Sequence, residues 1–427
     1  PGTIDNQLAE SSEFRALLAR GGLCSGLLTT LIATKLPGPM TQITAMSLGF
    51  NGSPEIGDHV TANITVVDTE PVTRSVSLEC SVTRIHPNKS DEDLCRGHIE
   101  VTTPAEHLYR PVDRPVDLRA EVPPDRFDHL EDMAREGECL TTGIVFPVSA
   151  TSLIGALQSA DANLIRPVLI GPEKSIREVA EAEGLDLSDI RIVAAETEED
   201  AAGTAADMAA DGKLQGLMKG SLHTATLLRA FIAHHDLRTD RRISHVFVVD
   251  VPDHPRLLLV SDGAINISPT LEELRDIVRN TIDLAHVLGV KVPKVALLSA
   301  VENVVERIPS TEVAAELSKM ADRGAFPGAK VDGPLAFDDA VSAQAAEIKG
   351  IKSPVAGVPD VLIVPDVVSG NILAKSFDHF GHAKVAGVVV GARIPLALTS
   401  RAGSPRERRA SAALMCLAAT HGWHSES

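Results

Sequence analysis

Two short apolar runs near the end of the chain, at 361–364 and 385–390, are rich in valine and end in turn residues. Such runs predict strands that are buried on both faces, as in parallel sheets. Each run leads into a loop that contains Gly, Asp, Asn, Ser or Arg. Because open α/β sheets bind ligands at the carboxyl ends of their strands, we expect these loops to carry binding residues.

From residue 139 onward, strand-like and helix-like segments alternate along the chain. The pattern predicts a mainly parallel sheet with helices on both faces, in two subdomains that meet near residue 240 across a cleft. The predicted strands are at 143–148, 166–170, 190–193, 216–218, 245–249, 256–260 and 294–298. The predicted helices are at 152–162, 174–183, 198–210, 225–234 and 271–288.

The first hundred residues follow a different pattern. Apolar residues at helical spacing predict a helix over 12–35, which LPGP at 36–39 ends because proline cannot continue it. Alternating polarity then predicts four antiparallel strands, at 41–50, 59–68, 75–85 and 94–102. We therefore expect a helix wrapped by a sheet over 1–104, followed at 105–138 by a Pro-rich linker with a short helix after Pro124.

The composition narrows the class of protein. The chain has 427 residues, enough for two or three domains, and its net charge of −18 argues against a surface for nucleic acids. An anionic substrate would therefore need a local cluster of Arg and Lys. Five scattered cysteines favour a reducing cytoplasm over a disulfide framework or a zinc site. We also expect no signal peptide and no membrane span.

The second part of the chain carries six separated motifs in order. These are LMKGSLHTATLLRA at 217–230, SHVFVVDVP at 244–252, LLVSDGAINISPT at 258–270, VDGPLAFDDA at 331–340, PDVLIVPDVVSGNIL at 359–373 and VVVGARIPLALTSRAGSPRE at 388–407. Together they resemble the phosphate acetyltransferase/phosphate butyryltransferase family over residues 139–422. The resemblance implies transfer of an acyl group between coenzyme A and inorganic phosphate, both as substrates and without a cofactor.

The resemblance also implies an architecture. The family shares a two-subdomain α/β fold with isocitrate and isopropylmalate dehydrogenases. In that fold the chain returns to the first subdomain, which corresponds to residue 400 or so of this sequence. The resemblance also implies a homodimer or a larger homo-oligomer. A metal-dependent dehydrogenase is an alternative on the same fold, but the chain lacks a dinucleotide fingerprint after a strand. A catalytically silent scaffold is a further alternative.

The motif KGSLHT at 219–224 joins a predicted strand to a predicted helix. Gly220 permits a tight turn there, and free backbone N–H groups at a helix start attract phosphate. An ordinary surface loop would have the same pattern, but the resemblance implies that Arg229 contacts the anionic substrate. The candidate substrate-binding residues here are Lys219, His223, Thr224 and Arg229.

The motif SRAGSPRE at 400–407 follows a predicted strand at 396–399. Arg401 can bind phosphate through two parallel N–H···O hydrogen bonds, in a bidentate manner. Ser400 can donate a hydrogen bond to the acyl oxygen, which becomes negative during the reaction. A thiol that is protonated at neutral pH needs a base before it attacks. The resemblance implies a carboxylate seven positions after the serine, where this chain has Glu407. The alternative for Glu407 is a solvated carboxylate at a helix start.

Other polar residues are weaker candidates. Asn371 opens a predicted helix after the run at 361–364 and is a further candidate for substrate binding. Asp262 and Asn266 are expected to support a turn, and Cys416 to pack inside a helix. The remaining Asp residues have no spacing that demands a metal, so we expect no metal site.

The segments LPGP and LGFNGSPEIGDHVTANITV, at 36–39 and 48–66, resemble a MaoC-like hot-dog domain. That family includes (R)-specific enoyl-CoA hydratases, whose chemistry needs a neighbouring Asp and His. In the matching register Thr3 replaces the His, and Arg20-Gly21 replaces a later His-Gly. Without a group of tunable pKa, we expect this domain to serve packing or dimerisation, with hydration or acyl-CoA binding as the alternative main activity.

Overall fold

The structure, a computed structural model, describes residues 22–52, 54, 58–85, 91–104, 126–252, 254–399 and 403–421. The chain divides into two units, and the boundary falls between Pro123 and Pro124. The described part of the predicted linker contains a helix, Arg126–Arg135, which belongs to the second unit. Thr3, Arg20 and Gly21, on which the argument against a hydratase depends, lie outside the described residues.

The described part of the first unit consists of one helix and an antiparallel sheet of four strands in the order β1-β4-β3-β2. Its elements are α1 (Gly22–Thr34), β1 (Gln42–Phe50), β2 (Val60–Glu70), β3 (Ser75–Arg84) and β4 (Glu92–Thr102).

The core of this unit follows the two periods of its sequence. The helix buries Cys24, Leu28 and Ile32, which are spaced four residues apart and so share one face. Strand β3 buries alternate residues, Leu78 and Val82 among them, against that helix face. The four predicted antiparallel strands are therefore confirmed, as is the predicted helix over Gly22–Thr34, whereas its predicted part at 12–21 lies outside the described residues.

The second unit is built on one sheet of eleven strands in the order β12-β11-β13-β10-β9-β14-β15-β8-β5-β6-β7. Its strands are β5 (Leu140–Val145), β6 (Ile165–Gly171), β7 (Arg191–Ala194), β8 (Gly216–Lys219), β9 (Ser244–Asp250), β10 (Leu258–Ser261), β11 (Lys294–Leu298), β12 (Lys330–Leu335), β13 (Val361–Ile363), β14 (Lys384–Val390) and β15 (Leu396–Ala397).

Helices cover both faces of this sheet. They are α2 (Arg126–Arg135), α3 (Ala150–Asp161), α4 (Glu173–Ala182), α5 (Glu198–Ala210), α6 (Thr224–Ala233), α7 (Leu271–Val287), α8 (Pro309–Asp322), α9 (Phe337–Val341), α10 (Ala343–Ile348), α11 (Val367–His379) and α12 (Pro405–His421). The unit is thus a mixed α/β structure with a large, mainly parallel sheet. The sheet is continuous across residue 240, so both predicted subdomains contribute strands to it.

One prediction about strand direction is wrong. The run at 385–390 forms β14, which is antiparallel to both of its neighbours, β9 and β15. Its residues Ala386, Val388 and Val390 are buried because helices cover the sheet here, and burial on both faces produces the same apolar run in either direction. The run at 361–364 forms β13, which is parallel to β10 and β11 as predicted.

Helix α12 brings the end of the chain back over the centre of the sheet. It packs on α3, α2 and β14, and its buried face includes Ala412, Met415 and Cys416. A Cβ atom at Gly216 of β8 would lie 2.8 Å from the Met415 sulfur, so helix and strand are in close contact. The start of α12 is therefore held at a fixed place above β8 and β15.

Candidate active site

Three parallel neighbours, β5, β8 and β15, end at the same edge of the sheet. Each is followed by a short loop and then by the amino terminus of a helix, α3, α6 or α12 respectively. Backbone N–H groups at a helix start are not used inside the helix, and they attract anions. The two motifs singled out in the sequence, at 219–224 and 400–407, occupy two of these three junctions.

The loop after β8 is fixed by the end of β5. Gly220 and Ser221 donate backbone hydrogen bonds to the carbonyl groups of Val145 and Phe146, at 2.9 and 2.8 Å. A Cβ atom at position 220 would lie 2.4 Å from the Val145 oxygen, which leaves room for glycine alone. The glycine of the motif therefore permits close approach of two chain segments, besides the turn expected from the sequence.

A cluster of three serine hydroxyls, which the sequence did not indicate, joins the same two loops. Ser221 Oγ lies 2.9 Å from Ser149 Oγ and 3.1 Å from Ser152 Oγ. Ser149 and Ser152 also form the reciprocal cap at the start of α3. Three serines in two distant segments have no sequence spacing in common, so only the sheet topology brings them together.

Lys219 differs from the surface lysine that an ordinary loop would carry. The residue is 1% exposed, and its ammonium group lies 3.4 Å from the Gly220 carbonyl oxygen. Its own carbonyl accepts a 3.0 Å hydrogen bond from Nη1 of Arg408, a fully buried residue of α12. This bond links the first motif to the residue that directly follows the second motif.

Ser400 and Arg401 lie outside the described residues, together with Ala402. The described chain reaches Thr399, which is 8% exposed, and resumes at the buried Gly403. Both flanking residues therefore lie at the carboxyl end of β15, between that strand and the start of α12.

Glu407 lies in the first turn of α12 and forms a reciprocal cap with Ser404. Its Oε2 accepts hydrogen bonds from the Ser404 backbone N–H at 2.7 Å and from the Ser404 hydroxyl at 3.2 Å. Glu407 N–H in turn donates to Ser404 Oγ at 3.2 Å. The carboxylate is thus held in one orientation and is half-buried at the start of the helix.

Burial raises the pKa of Glu407, and the charge of Asp378 at the end of α11 raises it further. Hydrogen bonds from Ser404 and from the Val385 backbone act in the opposite direction, because they stabilise the charged form. A carboxyl group with a raised pKa is a better proton acceptor than an ordinary glutamate. This is the property that a general base at this position needs.

The other residues of the first motif occupy the start of α6. His223 Nδ1 lies 2.8 Å from Glu198 Oε2 of α5, and 67% of the His223 side chain is exposed. Thr224 is the first residue of α6 and is half-buried, whereas Arg229 is exposed in the second turn. The structure therefore places Lys219 at the end of β8, His223 just before α6 and Thr224 at its start, with Arg229 exposed further along that helix.

Asn371 belongs to a different neighbourhood. Its Nδ2 lies 3.4 Å from the carbonyl oxygen of Gly263, in the turn after β10. Seven residues of α11 separate it from Asp378, which corresponds to about 10 Å along the helix axis. The described contacts thus join Glu407 to the far end of α11 and leave Asn371 beside the β10 turn.

That turn is organised by Asp262, a residue with 3% exposure. Its carboxylate accepts hydrogen bonds from the backbone N–H groups of Ala264, Ile265 and Asn266, at 2.9, 3.0 and 3.2 Å. Burial raises the pKa of Asp262, and these bonds oppose the shift. Asp262 and Asn266 therefore support the turn, as the sequence suggested.

Other candidate chemistry is weaker in the part of the chain that the structure describes. No group of three or more His, Cys, Asp or Glu side chains there could hold a metal ion. Cys416 is buried, donates to the Leu164 carbonyl at 3.2 Å and has a pKa raised to about 12 by its burial. Among the described helices, none is both long and apolar enough to cross a membrane.

Comparisons with solved structures define the class to which this fold belongs. A branched-chain phosphotransacylase from Enterococcus faecalis V583 is 31% identical, with a TM-score of 0.54 over 65% of this chain and 99% of that chain. A phosphotransacetylase from Streptococcus pyogenes, at 24% identity, has the same fold with a TM-score of 0.58 over 69% of this chain and 98% of that one. The second unit therefore has the fold of a phosphotransacylase.

Comparisons of sequence specify the family. The family model described as phosphate acetyl/butaryl transferase matches residues 194–416. A phosphate acetyltransferase of Rhizobium meliloti is 49% identical over 295 residues, 69% of this chain and 93% of the relative. A probable phosphate butyryltransferase of Bacillus subtilis is 42% identical over 260 residues, 61% of this chain and 86% of the relative. The chain belongs to the phosphate acetyl/butyryl transferase family and is an acyltransferase, which confirms the resemblance stated above.

Proposed function

We propose that acyl-CoA and inorganic phosphate react at the carboxyl ends of β8 and β15, giving acyl phosphate and coenzyme A, and that the reverse reaction uses the same groups. One observation carries the location: the loop after β8 and the start of α12 are joined through Arg408, beside the half-buried Glu407. The acyltransferase needs no bound cofactor, because both substrates are external.

The roles of the residues follow from the charges that develop. Arg401 and Arg229 hold the phosphate oxygens, and Ser400 donates a hydrogen bond to the acyl oxygen as it becomes negative. When acyl phosphate is the donor, the thiol proton passes to Glu407, the new S–C bond forms, and the O–C bond to phosphate breaks. Transfer is direct, and the burial of Cys416 supports a mechanism without an acyl-cysteine.

We further propose that the first unit is a hot-dog domain without hydratase activity, which assembles two or more copies of the chain. Among the described strands, the order β1-β4-β3-β2 places β1 and β2 at the edges, and both expose apolar side chains, Met46, Phe50 and Val67 among them. The five cysteines are free, which supports a cytoplasmic location.

The experiment follows release of free thiol from acetyl-, propionyl- and butyryl-CoA, with and without phosphate. Wild type, Arg401→Ala and Arg229→Ala are compared, with crotonyl-CoA hydration measured in parallel. We expect phosphate-dependent release that Arg401→Ala abolishes and Arg229→Ala weakens, and no hydration. The best substrate identifies the acyl preference.

Exposed arginines far from the motifs provide the matched control. Arg177, in α4, is 57% exposed in its side chain and pairs with Glu173. Arg177→Ala should therefore retain wild-type activity. The proposal would be contradicted if none of the three acyl-CoA substrates gave thiol release that depends on phosphate.

A further inference from the structure

Arg408 is among the largest fully buried side chains of the described chain, with 0% exposure. It lies on the same face of α12 as Ala412 and Met415, four and seven residues further on, which pack against the sheet. Burial lowers the pKa of its guanidinium, while the neighbouring Glu407 carboxylate raises it. A guanidinium is costly to bury without partners, so its contacts carry information about why it is there.

The guanidinium spans the two catalytic segments. Nη1 donates to the carbonyl of Lys219 at 3.0 Å, and Nε lies 3.4 Å from the carbonyl of Gly403. Lys219 is the last residue of β8, and Gly403 directly follows the segment 400–402. One planar group thus links the end of β8 to Gly403, which lies just before α12.

The fold reserves space for this side chain. Gly155, in the interior of α3, faces the Arg408 stem, and a Cβ atom there would lie 2.8 Å from both Cβ and Cδ of Arg408. Glycine in a helix interior is less favourable than alanine. The small residue is therefore explained by the arginine that it accommodates.

We propose that Arg408 is a positioning residue for acyl transfer, which fixes the end of β8 against Gly403 and the start of α12 and so sets Lys219 in its place relative to Glu407. This inference rests on the proposed function. Arginine suits the role because its rigid fork carries several donors and can serve two carbonyl groups at once. A lysine ammonium also has three donors, but it is a compact charge on a flexible stem and lacks the fixed planar fork.

The experiment uses the full chain and four variants. Arg408→Met removes the charge and both donors, and Arg408→Lys keeps the charge. Gly155→Ala displaces the arginine without changing any group of the site. Gly203→Ala is the matched control, because Gly203 also lies inside a helix, α5, but a Cβ atom there would meet no other atom within 4 Å. For each variant, kcat and the KM values for phosphate and acyl-CoA are measured. The thermal unfolding transition gives the folded fraction, and kcat is expressed per folded enzyme.

We expect Arg408→Met to lower kcat/KM for phosphate about 100-fold and Arg408→Lys about 10-fold, because small displacements of reacting groups have effects of this size. Gly155→Ala should resemble Arg408→Lys, with a raised KM for phosphate, and Gly203→Ala should equal wild type. A merely structural arginine would change the folded fraction and leave the KM for phosphate unchanged. If Arg408→Met does not fold, the kinetics of Arg408→Lys and Gly155→Ala test the role of Arg408.

Two contrary results are distinguishable. Wild-type enzyme without phosphate-dependent transfer would overturn the proposed function, and this inference with it. An active wild type, with Arg408→Lys and Gly155→Ala at wild-type kcat/KM for phosphate per folded enzyme, would overturn the role of Arg408 alone.

Discussion

The carboxylate of Glu407 caps a helix and is the base in the proposed mechanism. It caps α12 through Ser404, and the same half-buried position raises its pKa. A cap alone would be satisfied by an exposed glutamate, so the burial is the feature that suits a base. Glu at this position is longer than Asp by one methylene, and Ser404 fixes the direction in which that extra length extends.

Replacement of Glu407 by Gln keeps the size of the side chain and removes the base. We expect kcat with acyl phosphate and coenzyme A to fall about 100-fold, the usual contribution of general base catalysis. The base must be deprotonated, so wild-type kcat should fall as the pH drops through the pKa of Glu407, which lies above its usual range because of burial. The dependence of kcat on pH is measured for both enzymes, and Glu407→Gln should lack the decrease at acidic pH. If the variant keeps the same decrease, another residue is the base.

His245, at the start of β9, is fully buried and packs edge-on against Phe247. Burial lowers its pKa to about 4, and an interaction with the Leu398 backbone opposes that shift. The unfolded chain takes up this proton near pH 6.5, whereas the folded chain does so only near 4. Between these values the unfolded state binds more protons, so stability falls as the pH falls.

The corresponding loss is about 3 kcal/mol by pH 4, from the size of the pKa change. We expect His245→Leu to flatten the dependence of the free energy of unfolding on pH between 6.5 and 4, measured by denaturant titration. His235→Leu is the control, because 95% of the His235 side chain is exposed. Equal pH slopes for wild type and His245→Leu would be the contrary result.

At the scale of elements, the cap of α12 links stability to activity. Ser404→Ala removes the hydroxyl that accepts a hydrogen bond from Glu407 N–H. Thr197→Ala is the control, because it removes the equivalent cap of α5, in which Thr197 Oγ1 accepts from Asp200 N–H at 3.1 Å. Both changes should lower the free energy of unfolding by about 1 kcal/mol. Only Ser404→Ala should also lower kcat, because Ser404 orients Glu407. Equal kcat values in the two variants would separate the cap from catalysis.

Local patterns were sufficient to predict most elements of both units. The period of two in β3 and the alternation of strands and helices after residue 139 depend on neighbouring residues alone. The direction of β14 was not predictable in this way, because an apolar run reports burial and not the orientation of adjacent strands.

The residues of the candidate site also differ in whether local sequence patterns could predict them. Lys219 was a candidate because its motif joins a predicted strand to a predicted helix, and Glu407 because the family resemblance implies a carboxylate at its position. Arg408 was missed, since RERR at 406–409 offers three arginines and only the packed structure shows which one is buried. The same holds for the serine cluster, whose members come from two separate loops.

At the scale of the molecule, the two units differ in what they contribute. The second unit has its own cores, and the match to the family model, residues 194–416, lies within it. We expect residues 124–427 alone to retain phosphate-dependent acyl transfer, with kcat within about threefold of the full chain, because no group assigned to the reaction lies in the first unit. A folded but inactive fragment would show that assembly through the first unit is required. Size-exclusion chromatography of both forms supplies the comparison of oligomeric state.

The most direct test is detection of the acyl phosphate itself. Acetyl-CoA and phosphate are incubated with wild type, Arg401→Ala and Arg177→Ala, and the products are followed by ³¹P NMR alongside free thiol. We predict that wild type and Arg177→Ala form acyl phosphate in a one-to-one ratio with thiol, and that Arg401→Ala forms neither. Thiol release by wild type without an acyl phosphate signal would identify hydrolysis instead, and would contradict transfer to phosphate at this site.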